Sequence, residues 1–90
     1  MIGLLILYCK DIELSKKFYS DLGMTFKEER HGDGPVHYST EINGLVLELF
    51  PTKKEITDEG IRIGLNVKIN DHKSKFITDP DGRKVYLLDN

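Results

Sequence analysis

Two side chains near the middle of the chain, His37 and Glu48, are of the types that move protons or hold metals, and the dipeptide between them sets their placement. Asn43-Gly44 interrupts two alternating apolar/polar runs in residues 36–50 (VHYSTEINGLVLELF), the strongest short-range signal for a two-residue hairpin. With those two residues as the turn, Ile42 pairs with Leu45, Thr40 with Leu47, Ser39 with Glu48 and His37 with Phe50. Strand side chains alternate, so Tyr38, Thr40, Ile42, Leu45, Leu47 and Leu49 form a core face. His37, Ser39, Glu41, Val46, Glu48 and Phe50 form the other. That second face sets a carboxylate opposite a hydroxyl and diagonal to an imidazole. In a desolvated pocket the Glu48 carboxyl would rise toward the range useful for proton transfer; on an open face it is only a solvated charge.

Other reactive residue types have weaker settings. Ser15 and Ser20 fall on a helix with no His–acid pair in view, which gives a nucleophilic triad little support. His31 and Asp33 lie in a Gly-rich loop with no strand-to-helix phosphate turn, and read as loop chemistry. Cys9 sits in an apolar run and reads as packing. A single cysteine can form no internal disulfide, which points to a reducing, cytoplasmic setting.

Ninety residues make one domain, small enough that a dimer partner would help its stability. Thirteen Lys and Arg are scattered among fifteen acids for a formal charge of -2, with no basic run to neutralise phosphates, so a nucleic-acid binder is not expected. The apolar residues 2–8 are too few to span a membrane and lack the flanks of a signal peptide.

The elements follow from the pattern. Residues 3–9 (GLLILYC) are a continuous apolar run, read as a strand buried on both faces. Asp11 has N-cap chemistry, and Leu14, Phe18 and Leu22 recur at helical spacing with Tyr19 beside them, before Gly23 ends the helix. Lys16, Lys17, Ser20 and Asp21 fill its opposite face. Residues 24–30 alternate as a strand, 31–35 are a loop, and the hairpin runs to Pro51. Residues 52–60 are a polar connection, and residues 61–69 alternate strictly as a half-buried strand. Residues 70–75 are polar, and 76–78 and 85–88 form a last hairpin around Asp79-Pro80-Asp81-Gly82. The two halves end alike: Gly44 precedes Glu48 by four residues, and Gly82 precedes Tyr86 by four. This is a short internal repeat whose second copy lacks a helix.

Residues 10–23 (KDIELSKKFYSDLG) resemble the KD-x-E-x-S-x-x-FY-x-x-LG segment of the vicinal oxygen chelate superfamily, which contains glyoxalases, bleomycin-resistance proteins, fosfomycin-resistance transferases and extradiol dioxygenases. Residues 79–85 (DPDGRKV) resemble its C-terminal DPDG element. Residues 31–38 and 48–51 are similar to a small glyoxalase-like branch. The resemblance implies an α+β fold of two βαβββ modules, each curling into half of a cupped sheet that holds a ligand, often in a homodimer. Here the first module spans residues 1–51, and the second, residues 61–90, is shortened and lacks its helix.

In metal-using members the ligands come from the first and last strands of each module. Carried onto this chain, those positions are about Leu4, Glu48, Arg62 and Tyr86. Only Glu48 is an ordinary divalent-metal ligand, because Leu4 has no donor, Arg62 repels a cation and a free tyrosine has a pKa of about 10. His37 is a substitute on Glu48's face, but two protein ligands make a weak site.

The expectation is therefore a metal-independent protein that binds a small polar or aromatic molecule in a cup lined by His37, Ser39, Glu48, Phe50, Arg62 and Tyr86. Arg62 would clamp an anionic group or pair with Glu48, and Tyr86 would donate to the ligand. The alternatives are a lyase, isomerase or dioxygenase using a divalent metal on a catalytic Glu48, and a non-catalytic dimeric subunit.

Overall fold

The computed structural model describes residues 1–58, 60–66 and 76–88. In chain order the elements are β1 (Leu4–Cys9), α1 (Ile12–Ser20), β2 (Lys27–Glu29), β3 (His37–Ile42), β4 (Leu45–Pro51), β5 (Arg62–Asn66), β6 (Phe76–Thr78) and β7 (Lys84–Leu88). They form a four-stranded sheet in the order β1-β4-β3-β2 and a three-stranded sheet in the order β5-β7-β6. The fold is α+β, a βαβββ module followed by a shorter one.

The central hairpin forms in the register that its sequence dictates. Ile42 faces Leu45, Thr40 faces Leu47 and Ser39 faces Glu48. Asn43 at φ 50° and Gly44 at φ 88° are both left-handed, as the two-residue turn matching strand twist requires. Asp11 caps α1, its Oδ1 accepting from the amides of Glu13 at 3.0 Å and Leu14 at 3.2 Å.

Three expectations need correction. Strand β1 is not buried on both faces: Leu7 and Cys9 are buried, but Leu4 and Tyr8 are exposed, since one face of an edge strand has nothing packed on it. On α1 the buried positions are Ser15 and Tyr19, while Leu14 is 56% exposed. The helix is turned so that its hydroxyl-bearing residues meet a polar network described below. Only Lys27–Glu29 of residues 24–30 is a strand; Met24 and Phe26 instead pack beside the core. The fifth strand is described only as Arg62–Asn66; residues 67–69 and the polar stretch 70–75 lie outside the described residues.

The two sheets repeat one plan. In each, the first strand runs parallel to the last, and the last pairs antiparallel with the strand before it. Glu48 on β4 pairs with Ile6 on β1, and Tyr86 on β7 pairs with Gly64 on β5. These two residues therefore occupy equivalent positions. A side chain at Gly64 would put its Cβ 2.9 Å from Leu88, so the second sheet requires a glycine there unless that leucine moves.

One apolar core joins the halves. Leu7, Cys9, Tyr19, Tyr38, Leu47, Leu49 and Val85 are buried together, with Ile63, Leu65, Ile77 and Leu87 of the second sheet packed against them. A buried polar network sits alongside. Arg83 is fully buried and binds Asp58 through Nε at 2.9 Å and Nη2 at 2.7 Å, Asp79 through Nη1 at 3.2 Å, and the carbonyl of Tyr8 through Nη2 at 2.6 Å. Burial alone would lower its pKa, but the bonds to Asp58 and Asp79 outweigh this and raise it. Asp79 also accepts from the Tyr19 hydroxyl at 2.7 Å, and Asp81 from the Ser15 hydroxyl at 3.5 Å and the Lys10 amide at 3.1 Å. The Asp-Pro-Asp-Gly turn thus ties α1 and the end of β1 to the second sheet.

Candidate functional site

The face of the first sheet opposite α1 carries the residues that the hairpin pattern singled out. Register puts Leu4, Ile6 and Tyr8 on the same face as Val46, Glu48 and Phe50, with Ser39 and Glu41 beyond them. Glu29 pairs with His37 across β2 and β3, and so joins this face. His37 lies on Phe50 with ring centroids 4.0 Å apart and planes 11° from parallel. The expected pairing of these two residues is therefore realised as a stack.

His37 is the centre of the arrangement. It is 1% exposed, a depth unusual for an imidazole on an uncovered face. Its Nδ1 lies 3.2 Å from the carbonyl of Pro35, and because a carbonyl only accepts, Nδ1 carries the proton there. Its Nε2 is buried with no hydrogen-bond partner. Two carboxylates flank that nitrogen, Glu29 Oε1 and Glu48 Oε2, each at 3.7 Å and thus beyond hydrogen-bond reach. The Glu29 and Glu48 side chains are 26% and 17% exposed, so both can meet solvent or a ligand. The His31 ring lies 5.2 Å from that of His37.

Sequence reasoning brought His37, Ser39, Glu48 and Phe50 together, and they share this face. It missed Glu29 and His31, treating the latter as part of a loop. A signal was present: antiparallel pairing of β2 with β3 across residues 30–36 places Glu29 opposite His37 and leaves His31 above the pair. The other two expected residues belong to the second sheet. Arg62 pairs with Lys84, and Tyr86 contacts Phe76 at 5.6 Å between ring centroids.

Among the described residues, the opposite face holds no comparable cluster. Tyr38 donates to Glu13 of α1, which pushes its phenol up to about 12 with help from burial. Cys9 is fully buried, and burial raises its thiol pKa, which fits packing rather than reactivity. A cavity of about 860 Å³ lies elsewhere, between the tip of the β3–β4 hairpin, the chain after α1 and β5, lined among others by Leu22, Met24, Ile42, Leu45 and Leu65. Glu41 is its only ionisable lining residue among those described, so it lacks the convergent groups of the His37 face.

Residues 1–67 match the family model of the Glyoxalase/Bleomycin resistance protein/Dioxygenase superfamily. The chain belongs to this superfamily. Solved structures agree on the glyoxalase-like fold across the whole chain. A possible glyoxalase from Bacillus cereus superposes with a TM-score of 0.71 at 15% identity, covering 98% of this chain and 97% of that one. A protein from the mobile metagenome of V. Pseudocholerae gives 0.69 at 16% identity over 99% and 93%. A bleomycin-binding protein complexed with bleomycin gives 0.57 at 17% identity over 100% and 98%. At such identities the likeness establishes the fold alone. No curated protein matches the chain.

The glyoxalase-superfamily positions for a metal do not form a ligand set in this member. Leu4 and Glu48 stand on adjacent strands of one sheet, and Arg62 and Tyr86 occupy the corresponding places of the other. A hydrocarbon and a guanidinium at two of four positions leave one carboxylate and one phenol, too few anionic donors for a divalent ion.

Proposed function

We propose that this protein binds a small polar or aromatic molecule in the cup formed by the uncovered sheet faces, without a metal at the superfamily's usual position. The observation that carries the reading is the part-exposed Phe50 ring, held by its 4.0 Å stack on the buried His37 ring and edged by the part-exposed Glu48 carboxylate. Pockets for small molecules combine such apolar surface with a few fixed polar groups. Ser39 supplies a hydroxyl opposite Glu48, and Arg62 and Tyr86 supply a cation and a phenol from the second sheet. Glu48 is the residue placed to act as a base if the bound molecule is turned over.

A solved neighbour that holds bleomycin supports ligand binding over a purely structural role. A homodimer is part of the reading, because Leu4 and Tyr8 on β1 and Phe76 and Leu88 on the second sheet are exposed apolar side chains that a second copy would cover. A cytoplasmic setting suits the free Cys9.

The test is a backbone-amide NMR titration with a library of small aromatic acids and amines, bleomycin included, in the presence of a chelator. Shifts should map to Ser39, Glu48, Phe50 and Tyr86, and Glu48→Ala should weaken binding at least tenfold, about 1.4 kcal/mol. Shifts confined to the cavity around Leu22, Ile42 and Leu65 would overturn the cup assignment.

A further inference from the structure

We infer that Glu29, His31 and His37 form a divalent transition-metal site of the zinc class at the β2–β3 edge, distinct from the superfamily's own metal position. The orphaned Nε2 of His37 is the atom around which this site is built. Its ring orientation is fixed twice, by the Phe50 stack and by Nδ1 donating to Pro35. That hydrogen bond leaves a bare lone pair on Nε2, which is the usual state of a metal-ligating histidine whose other nitrogen is held by a carbonyl.

Two carboxylate oxygens, Glu29 Oε1 and Glu48 Oε2, each lie 3.7 Å from that nitrogen. A buried imidazole nitrogen with only carboxylate oxygens nearby lacks a favourable partner, which a cation held between it and a carboxylate would supply. No donor among the described residues fills that role, since Nε2 has no hydrogen-bond partner among them. A cation there would satisfy Nε2 together with Glu29 and His31.

The spacing fits an ion. Zinc–nitrogen and zinc–oxygen bonds of about 2.0–2.2 Å put two ligand atoms of one tetrahedral ion roughly 3.4 Å apart. The 3.7 Å separations meet this almost unchanged. Donor atoms of Glu29, His31 and His37 all lie within 4.8 Å of one another. His31 is exposed at the start of the loop containing Gly32 at φ +58°, so its ring has room to adjust toward an ion. Glu48, 3.7 Å from Nε2 but outside this set of donors, would accept from a metal-bound water.

Donor type selects the metal. Two imidazoles and one or two carboxylates suit Zn²⁺, Co²⁺ or Ni²⁺, whereas Mg²⁺ and Ca²⁺ favour all-oxygen shells. The site draws on β2, the following loop and β3, and none of these supplies a superfamily ligand position; only Glu48 borders both. It therefore needs no ligand in the cup, and it can stand if the small-molecule reading falls.

The experiment titrates chelator-stripped protein with Zn²⁺ by calorimetry and with Co²⁺ by visible absorption. One equivalent should bind, with Co²⁺ giving the intense bands of a tetrahedral nitrogen/oxygen site and Mg²⁺ giving no heat. Glu29→Gln and His31→Ala remove partly exposed side chains, so both variants should keep the wild-type circular dichroism and melting temperature without metal. Each should lose at least about tenfold in affinity, and His37→Phe should abolish binding. Absence of binding to the wild type would overturn the inference. So would unchanged affinity in both Glu29→Gln and His31→Ala, which would mark an adventitious ion. A titration that succeeds where the chelated small-molecule screen finds nothing would uphold the metal site and sink only the cup reading.

Discussion

Among the described residues, charge-bearing groups gather around two buried side chains, Arg83 and His37, in opposite ways. Around Arg83, polar groups meet complementary partners: two aspartates, a carbonyl and, through Asp79, the Tyr19 hydroxyl. Around His37, two carboxylates each lie 3.7 Å from an imidazole nitrogen that has no hydrogen-bond partner among the described residues. The first cluster lies beside the core, between α1 and the second sheet, and is closed. The second lies on the uncovered sheet face and is open. A closed network holds elements together, and removing one member leaves charges stranded. An open one contributes little to the fold and is available to a ligand. Depth alone does not distinguish them, because Arg83 and His37 are both almost wholly buried.

Breaking the closed cluster should have the largest effect. Arg83→Met strands Asp79 and Asp58 and should cost about 3–5 kcal/mol in urea unfolding, while Tyr19→Phe, which loses one bond to Asp79, should cost about 1–2 kcal/mol. A loss below 1 kcal/mol for Arg83→Met would mean that the network is not what joins the halves. His37→Phe should cost about 1 kcal/mol or less, since it removes an orphaned nitrogen along with a single bond to Pro35. If it proves as damaging as Arg83→Met, the contrast between the clusters fails and the His37 face is structural.

The smallest effect concerns alkaline pH. Tyr38 has its pKa raised to about 12, chiefly by its bond to Glu13, so the folded state favours the neutral phenol. That contribution is fully present below the unfolded value of about 10 and is lost as pH climbs from about 10 toward the folded value. Tyr38→Phe should flatten this part of the stability profile above pH 10. An unchanged slope would show that the Glu13 bond does not form in solution.

Much of this was legible in the sequence because it depends on near neighbours. A two-residue turn at Asn43-Gly44 permits one register, and one register determines which side chains share a face. His37, Ser39, Glu48 and Phe50 were grouped on that basis alone. Asp11 as a cap, the apolar strands and the repeat of strand order were readable for the same reason, as was membership of the superfamily through its helix and turn motifs.

What the tertiary structure decided involves partners far apart in the chain. Of the stripe Leu14, Phe18, Leu22, the last two pack beside the core as expected while Leu14 is exposed, and Ser15 and Tyr19 are buried where Asp81 and Asp79, some sixty residues on, supply acceptors for their hydroxyls. Arg83 carried no sign of burial, since a lone arginine in a turn normally stays in water until acidic groups from elsewhere surround it. Glu29 and His31 joined the candidate site only through the pairing of β2 with β3. By itself the sequence determined the strands, the turn and the faces, which short-range geometry controls. Which of its charged groups would be closed into the fold, and which left open for a ligand, depended on how the separate pieces packed, because only packing removes water and brings distant partners into reach.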